Sequence, residues 1–125
     1  MFVDYVCKIN SSLCNENNVR DIYSLELISK YYEYALNDKE NFLCSSMKVA
    51  ALIKLFQPFH DGNHRTAIIV FGDLLNTKGY EFDCESALFD MNNHKLNLPT
   101  LYSEDDEITN ISRFEKYILN KPKSL

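Results

Sequence analysis

"QPFHDGNHRTA", residues 57–67, decides how the rest of the chain is read. Pro58 disfavours the α region in the residue before it, so a helix arriving from the N-terminal side stops at Gln57. Gly62 and Asn63 tolerate left-handed backbone angles, and an apolar pattern of helical period resumes directly after them. The stretch therefore reads as the loop of a helix–loop–helix, with Pro58 to Asn63 in the loop and His64 or Arg65 opening the second helix.

Working outward, "SSMKVAALIKLF" (45–56) offers Ser45 or Ser46 as N-cap before Val49, Leu52, Ile53 and Phe56. "RTAIIVFGDLLNTKG" (65–79) carries Ile68, Ile69, Phe71, Leu74 and Leu75 and ends on Gly79, a good C-terminal residue. The inner faces of these two helices predict a core of Leu52, Phe56, Phe59, Ile69 and Phe71. Upstream, Ile22, Leu25, Ile28, Tyr32 and Leu36 mark one face of a helix between Asp21 and Leu36. Downstream, "GYEFDCE" suits a short extended piece and "NNHKLNLPT" a loop. Ser103 with Glu104, Asp105 and Asp106 suits an acidic helix start, followed by Ile108, Ile111, Phe114 or Tyr117, and Ile118.

With only three Gly and three Pro, the turns that β-proteins need are scarce. The expected fold is all-α, with room for one small β-hairpin. No repeat and no linker divides the chain, so residues 1–125 read as a single domain. A hydrophobic content of 46% supports a real core. The net charge of -5 argues against a general nucleic-acid binder. No apolar run approaches the roughly 20 residues of a membrane span. Asp4 and Lys8 interrupt the apolar N-terminus, so no signal peptide is expected. Cys7, Cys14, Cys44 and Cys84 form no CxxC pair and read as reduced thiols. The expected location is the cytoplasm, delivery to a host cell by a route without a visible signal included, and no membrane or nucleic-acid partner is expected.

What chemistry can the loop carry? His60 and His64 have the spacing of a zinc-binding HExxH pair, but Gly62 and Asn63 between them spoil the continuous helix that motif needs, and no third ligand is evident. A phosphate site fits the local physics better. Gly62 and Asn63 let consecutive N–H groups converge on an anion. The next helix adds its N-terminal donors and positive dipole end. Arg65 can grip phosphate with two donors, and Asp61 can hold Mg²⁺. A plain helix connection, with Gly and Asn as turn residues, accounts for the same pattern without a ligand.

The stretch resembles the signature loop of the Fic/Doc family, HPFx[D/E]GN[G/K]R, with Pro58, Phe59, Asp61, Gly62, Asn63 and Arg65 in register. The resemblance extends over residues 45–83, and the part after the loop is similar to the Doc-like branch. It implies a mostly helical Fic/Doc-like domain using ATP or another nucleotide with Mg²⁺. Fic proteins mostly transfer AMP to a Ser, Thr or Tyr hydroxyl of a target protein, and Doc-like toxins transfer phosphate to a translation factor. It implies that Asp61 binds Mg²⁺, that Gly62 and Asn63 line the anion hole, and that Arg65 holds nucleotide phosphate. An antitoxin is a further partner of such toxins.

Three positions depart from the family. Gln57 stands where the family has its general-base His. A carboxamide can orient a hydroxyl but takes up no proton near neutral pH, and loss of such a base costs roughly 10²–10⁴ in rate. His60 is then the alternative base. His64 replaces a Gly or Lys and crowds one phosphate position, which favours a Doc-like pose and phosphate transfer. Ile68 replaces an Arg that in AMP transferases grips the γ-phosphate. "SLCNEN", with Ser12, Glu16 and Asn17, also resembles the family's inhibitory pattern [S/T]xxxE[G/N], but with Ile68 in place of the second Arg, Glu16 has no evident partner, and a solvated loop is the simpler reading. Two main function classes follow, a transferase impaired by Gln57 or a catalytically inactive relative that binds a nucleotide or a protein, beside a third, a helical interaction module with no ligand.

Overall fold

The computed structural model describes residues 1–14, 18–99 and 111–122. Five helices are complete within them: α1 (Phe2–Leu13), α2 (Ile22–Asn37), α3 (Phe42–Phe56), α4 (Asn63–Thr77) and α5 (Cys84–Asn92). Strands β1 (Glu81–Phe82) and β2 (Ile118–Asn120) form one antiparallel pair. The fold is thus mostly helical with one small β element, as expected. The two strands are far apart in sequence, so the pair fastens the C-terminal end of the described chain beside α4.

α4 is the central helix, in contact with each of the other four. Its apolar residues are buried almost all round, including Ala67, Ile68, Val70, Phe71, Leu74 and Leu75. That is why its pattern looks less like a stripe than like a continuous apolar run. Gly72 serves a close approach: a Cβ there would lie 2.8 Å from the Phe82 ring. Phe82 meets Phe71 edge-on at 5.3 Å between centroids, and Phe71 meets Phe114 at the same distance. These rings couple β1 and the helical residues 111–115 to α4. On the other side of α4, the Tyr5 hydroxyl donates to Asp73 at 2.5 Å and ties α1 down. Burial, together with that carboxylate, raises the pKa of Tyr5 well above the ordinary phenol value.

Several expectations are corrected. α3 starts at Phe42, a turn before Ser45 and Ser46, because Asp38 organises the turn ahead of it. Its carboxylate accepts from the N–H groups of Glu40 and Asn41 and from the Ser45 hydroxyl, while Phe42 packs into the core. Ser46 is buried within the helix. Leu52, Phe59 and Phe71 are core residues, but Phe56 and Ile69 are only half-buried. Ile68, one step of helical rotation away, takes the buried place with 1% exposure. Residues 92–94 belong to the end of α5 and its cap rather than to a loop. Ile118 pairs in β2 instead of extending a helical stripe. Ser103 to Ile108 lie outside the described residues.

Candidate functional site

α3 ends where Pro58 requires. Gln57 is its C-cap, in the left-handed region at φ 45° and ψ 62°. The freed carbonyls at this end find a cation: the Arg20 guanidinium donates to the carbonyls of Phe56 and Gln57, the latter at 2.7 Å. The chain around Arg20 acts as a strap along the loop. The Arg20 and Asp21 N–H groups donate to the Pro58 carbonyl at 2.7 and 3.0 Å, and the His60 N–H donates to the Asn18 carbonyl at 2.8 Å. Val19 and Phe59 form an antiparallel bridge between these steps.

Inside the loop, Phe59 is 1% exposed and anchors the turn in the core. The Asn63 side chain accepts from the Phe59 N–H at 3.0 Å and donates to its carbonyl at 2.8 Å. Asn10 of α1, 1% exposed, donates to the Asp61 carbonyl at 2.9 Å and to the Thr66 hydroxyl at 3.2 Å. Asn18 donates to the same Asp61 carbonyl at 2.8 Å and to the Asn10 side-chain oxygen at 2.9 Å. The Pro58 and Asp61 carbonyls and the His60 N–H are thus bonded from outside the loop, and Asn63 bonds both peptide groups of Phe59 from within it, which favours this loop shape without a ligand.

Gly62, at φ 75°, is the N-cap of α4 and brings no side-chain acceptor to the helix start. A Cβ on Gly62 would lie 2.6 Å from the Cys14 sulfur and 3.0 Å from the Asn10 amide nitrogen, so glycine is required by space as well as by φ. The helix begins at Asn63, earlier than His64, because the Asn63 side chain turns back to Phe59 and its own backbone is already helical. That side chain is occupied by the loop. What Asn63 offers a ligand is its backbone N–H in the first turn.

The first turn opens into a cleft of about 770 Å³. Gln57, His60, Asp61, Gly62, Asn63, His64 and Arg65 all line it. Arg65 is half-buried and its guanidinium donates to the Cys14 sulfur at 3.6 Å. Asp61 is exposed: one carboxylate oxygen accepts from the Gly62 N–H at 2.8 Å, and the other lies 3.9 Å from the Cys14 thiol. A single exposed carboxylate beside helix donors suits Mg²⁺, which keeps most of its waters and shares phosphate oxygens. Among the described residues, no group of three or more His, Cys, Asp or Glu is arranged to hold a metal by itself. His60 and His64 do not form such a group.

The cleft also contains residues that local sequence patterns do not reveal. Lys54 comes from α3, His94 from the turn after α5, and Arg113 from the helical residues 111–115. All three histidines of the chain thus line one cleft. Only convergence of distant segments brings Lys54, His94 and Arg113 to the loop, and no spacing within one segment signals it. Ile68, by contrast, faces the core and contributes nothing to the cleft. Ser12 lies in the last turn of α1, exposed, with its hydroxyl on the Ile9 carbonyl at 2.6 Å. Glu16 and Asn17 lie outside the described residues. None of the four cysteines is joined in a disulfide. Among the described residues, no helix is long and apolar enough to cross a membrane.

Comparison of the chain with family models, with characterised proteins and with solved structures found no match.

Proposed function

We propose that the cleft binds the phosphates of a nucleotide, together with Mg²⁺, and that the protein acts as a Fic/Doc-like transferase of AMP or phosphate to a protein hydroxyl. The observation that carries this reading is the start of α4. An N-cap without a side-chain acceptor, a left-handed glycine and Arg65 all stand at one open cleft. The loop resemblance supplies the reaction class, and the preformed loop supports it.

In this reading, the N–H groups of Asn63, His64 and Arg65 receive phosphate oxygens and the Arg65 guanidinium grips them. Asp61 is the residue that would hold Mg²⁺, and the ion would supply charge to offset that of the phosphates. Gln57 orients the target hydroxyl by hydrogen bonding. The hydroxyl oxygen forms the new bond to phosphorus as the bridging P–O bond breaks, releasing pyrophosphate in AMP transfer or the nucleoside diphosphate in phosphate transfer, and the hydroxyl proton passes to a base, His60 or solvent water. Gln57 cannot be that base, so turnover is slow. The same substitution favours a second reading, a binding module that holds a nucleotide or protein without turning it over.

Calorimetric titration with ATP and Mg²⁺ tests the binding step. Heat of binding with the wild type, lost in Arg65→Ala, is the expected result. Absence of binding to the wild type, or binding indifferent to Arg65→Ala, rejects the reading.

A further inference from the structure

Among the described residues, the cleft's charge is one-sided beyond what one phosphate needs. Lys54, Arg65 and Arg113 line it with the three histidines, and Asp61 is the one carboxylate among the described lining residues. A phosphate at the start of α4 engages the loop N–H groups and Arg65. It leaves Lys54, His94 and Arg113 lining the same cleft, with no carboxylate but Asp61 among the described lining residues.

His94 occupies an unusual position. α5 ends in a paired cap: the His94 N–H donates to the Met91 carbonyl at 3.1 Å and the Lys95 N–H to the Asp90 carbonyl at 2.7 Å. This cap places its next-to-last residue in the left-handed region, a role that glycine usually fills. Here the residue is His94, at φ 59°. A side chain is kept where glycine is conformationally cheaper, and that side chain lines the cleft. Lys54 is held nearby, its ammonium donating to the Leu98 carbonyl at 3.4 Å. Among the described residues, Arg113 is exposed and has no ion-pair partner.

We propose that Lys54, His94 and Arg113 form a second anion subsite, which takes the distal phosphate of a ligand whose first phosphate sits at the start of α4. The subsite rests on the phosphate reading above and narrows its ligand to a polyphosphate-bearing one. The buried Ile68 gives the start of α4 no second cation of its own, so a distal phosphate finds its charge partners on this other wall. A volume of about 770 Å³ leaves room for a chain of phosphates and far exceeds what one requires.

The test is a calorimetric series with inorganic phosphate, pyrophosphate and tripolyphosphate on the wild type and four variants: Arg65→Ala, Arg113→Ala, a Lys54→Ala/Arg113→Ala double, and His94→Gly. Wild-type affinity is expected to rise roughly tenfold or more from phosphate to tripolyphosphate, as one added charge-assisted contact gives. Arg113→Ala and the double variant should flatten that rise and leave inorganic phosphate binding unchanged. His94→Gly relieves the left-handed strain, so it should melt at or above the wild type and still lose tripolyphosphate affinity. A preserved tripolyphosphate preference in these variants, with binding still lost in Arg65→Ala, overturns the second subsite alone. Failure of the wild type to bind any of the three anions overturns the phosphate reading and the subsite with it.

Discussion

The carboxamide of Asn63 closes on the main chain of Phe59 from both sides, accepting from its N–H at 3.0 Å and donating to its carbonyl at 2.8 Å. One side chain thus satisfies both polar groups of a buried residue across the turn. Replacement by Ala leaves a donor and an acceptor unpaired in the core, each worth about 1–3 kcal/mol. Asn63→Ala should therefore destabilise the protein by roughly 2–6 kcal/mol in urea unfolding, with Asn63→Asp intermediate because it keeps the acceptor. A loss under about 0.5 kcal/mol would show that water replaces the amide at no cost.

Phe59 itself gives the second expectation. Its ring is 1% exposed and fixes the loop in the core between α3 and α4. Phe59→Ala should cost about 3–5 kcal/mol, the range for a large aromatic cavity. A melting temperature within a degree or two of the wild type contradicts that anchoring role.

Much of this loop could be read in the sequence because its signals are backbone constraints. Pro58 dictates where α3 stops, Gly62 carries the left-handed N-cap, and Asp21 marks the start of α2, whose N–H groups at Tyr23 and Ser24 it caps. α1 was less legible. Its seam of Phe2 and Val6 is continued by the buried Asn10, whose polarity interrupts the apolar pattern because it serves the loop. α5 is short, buries only Ala87 and ends on His94 where glycine would have marked the cap. The choice between Ile68 and Ile69 as core residue turns on one step of helical rotation in a helix apolar nearly all round. Lys54, His94 and Arg113 come together only through the fold.

Gly62 separates space from backbone angle. In Gly62→Ala, the new methyl meets the Cys14 sulfur, and the left-handed angle adds about 1–2 kcal/mol. The variant should melt lower and lose phosphate binding. Adding Cys14→Ala removes the nearest clash, so the double variant should regain part of the melting temperature. No recovery would place the whole penalty in the backbone or at Asn10.

Acid should weaken the molecule through its caps and turns. The Ser24 hydroxyl and N–H lower the pKa of Asp21, the Ser45 hydroxyl that of Asp38, Ser86 that of Asp83, and the Tyr117 hydroxyl that of Asp90. A carboxylate depressed in the folded state contributes stability that is fully present above its unfolded pKa of about 3.9. That stability is lost as pH falls through the lower folded value. Thermal melts should hold between pH 7 and 5 and drop below about 4. Asp21→Asn keeps the capping geometry and removes the charge. Its deficit relative to the wild type should shrink towards pH 2.5, and a gap that persists there would assign the effect to geometry instead.

Gln57→His asks whether the cleft lacks only a base. Gln57 is exposed to the cleft with its carbonyl held by Arg20, and its left-handed backbone is one that histidine adopts more readily than most residues. The substitution should therefore leave the melting temperature unchanged and put an imidazole where the carboxamide was. A Ser, Thr or Tyr hydroxyl is a poor nucleophile until its proton is taken, and imidazole titrates near neutral pH where an amide does not. Incubated with Mg²⁺, lysate and ATP labelled first at the α and then at the γ position, Gln57→His should transfer label at least about 100-fold faster than the wild type. If His64 crowds a phosphate position as the loop resemblance implies, the γ-label is the one expected on the target. An inactive Gln57→His protein that still binds ATP would identify a binding module. A wild type as fast as the variant would require another base, and loss of that activity in His60→Ala would name it.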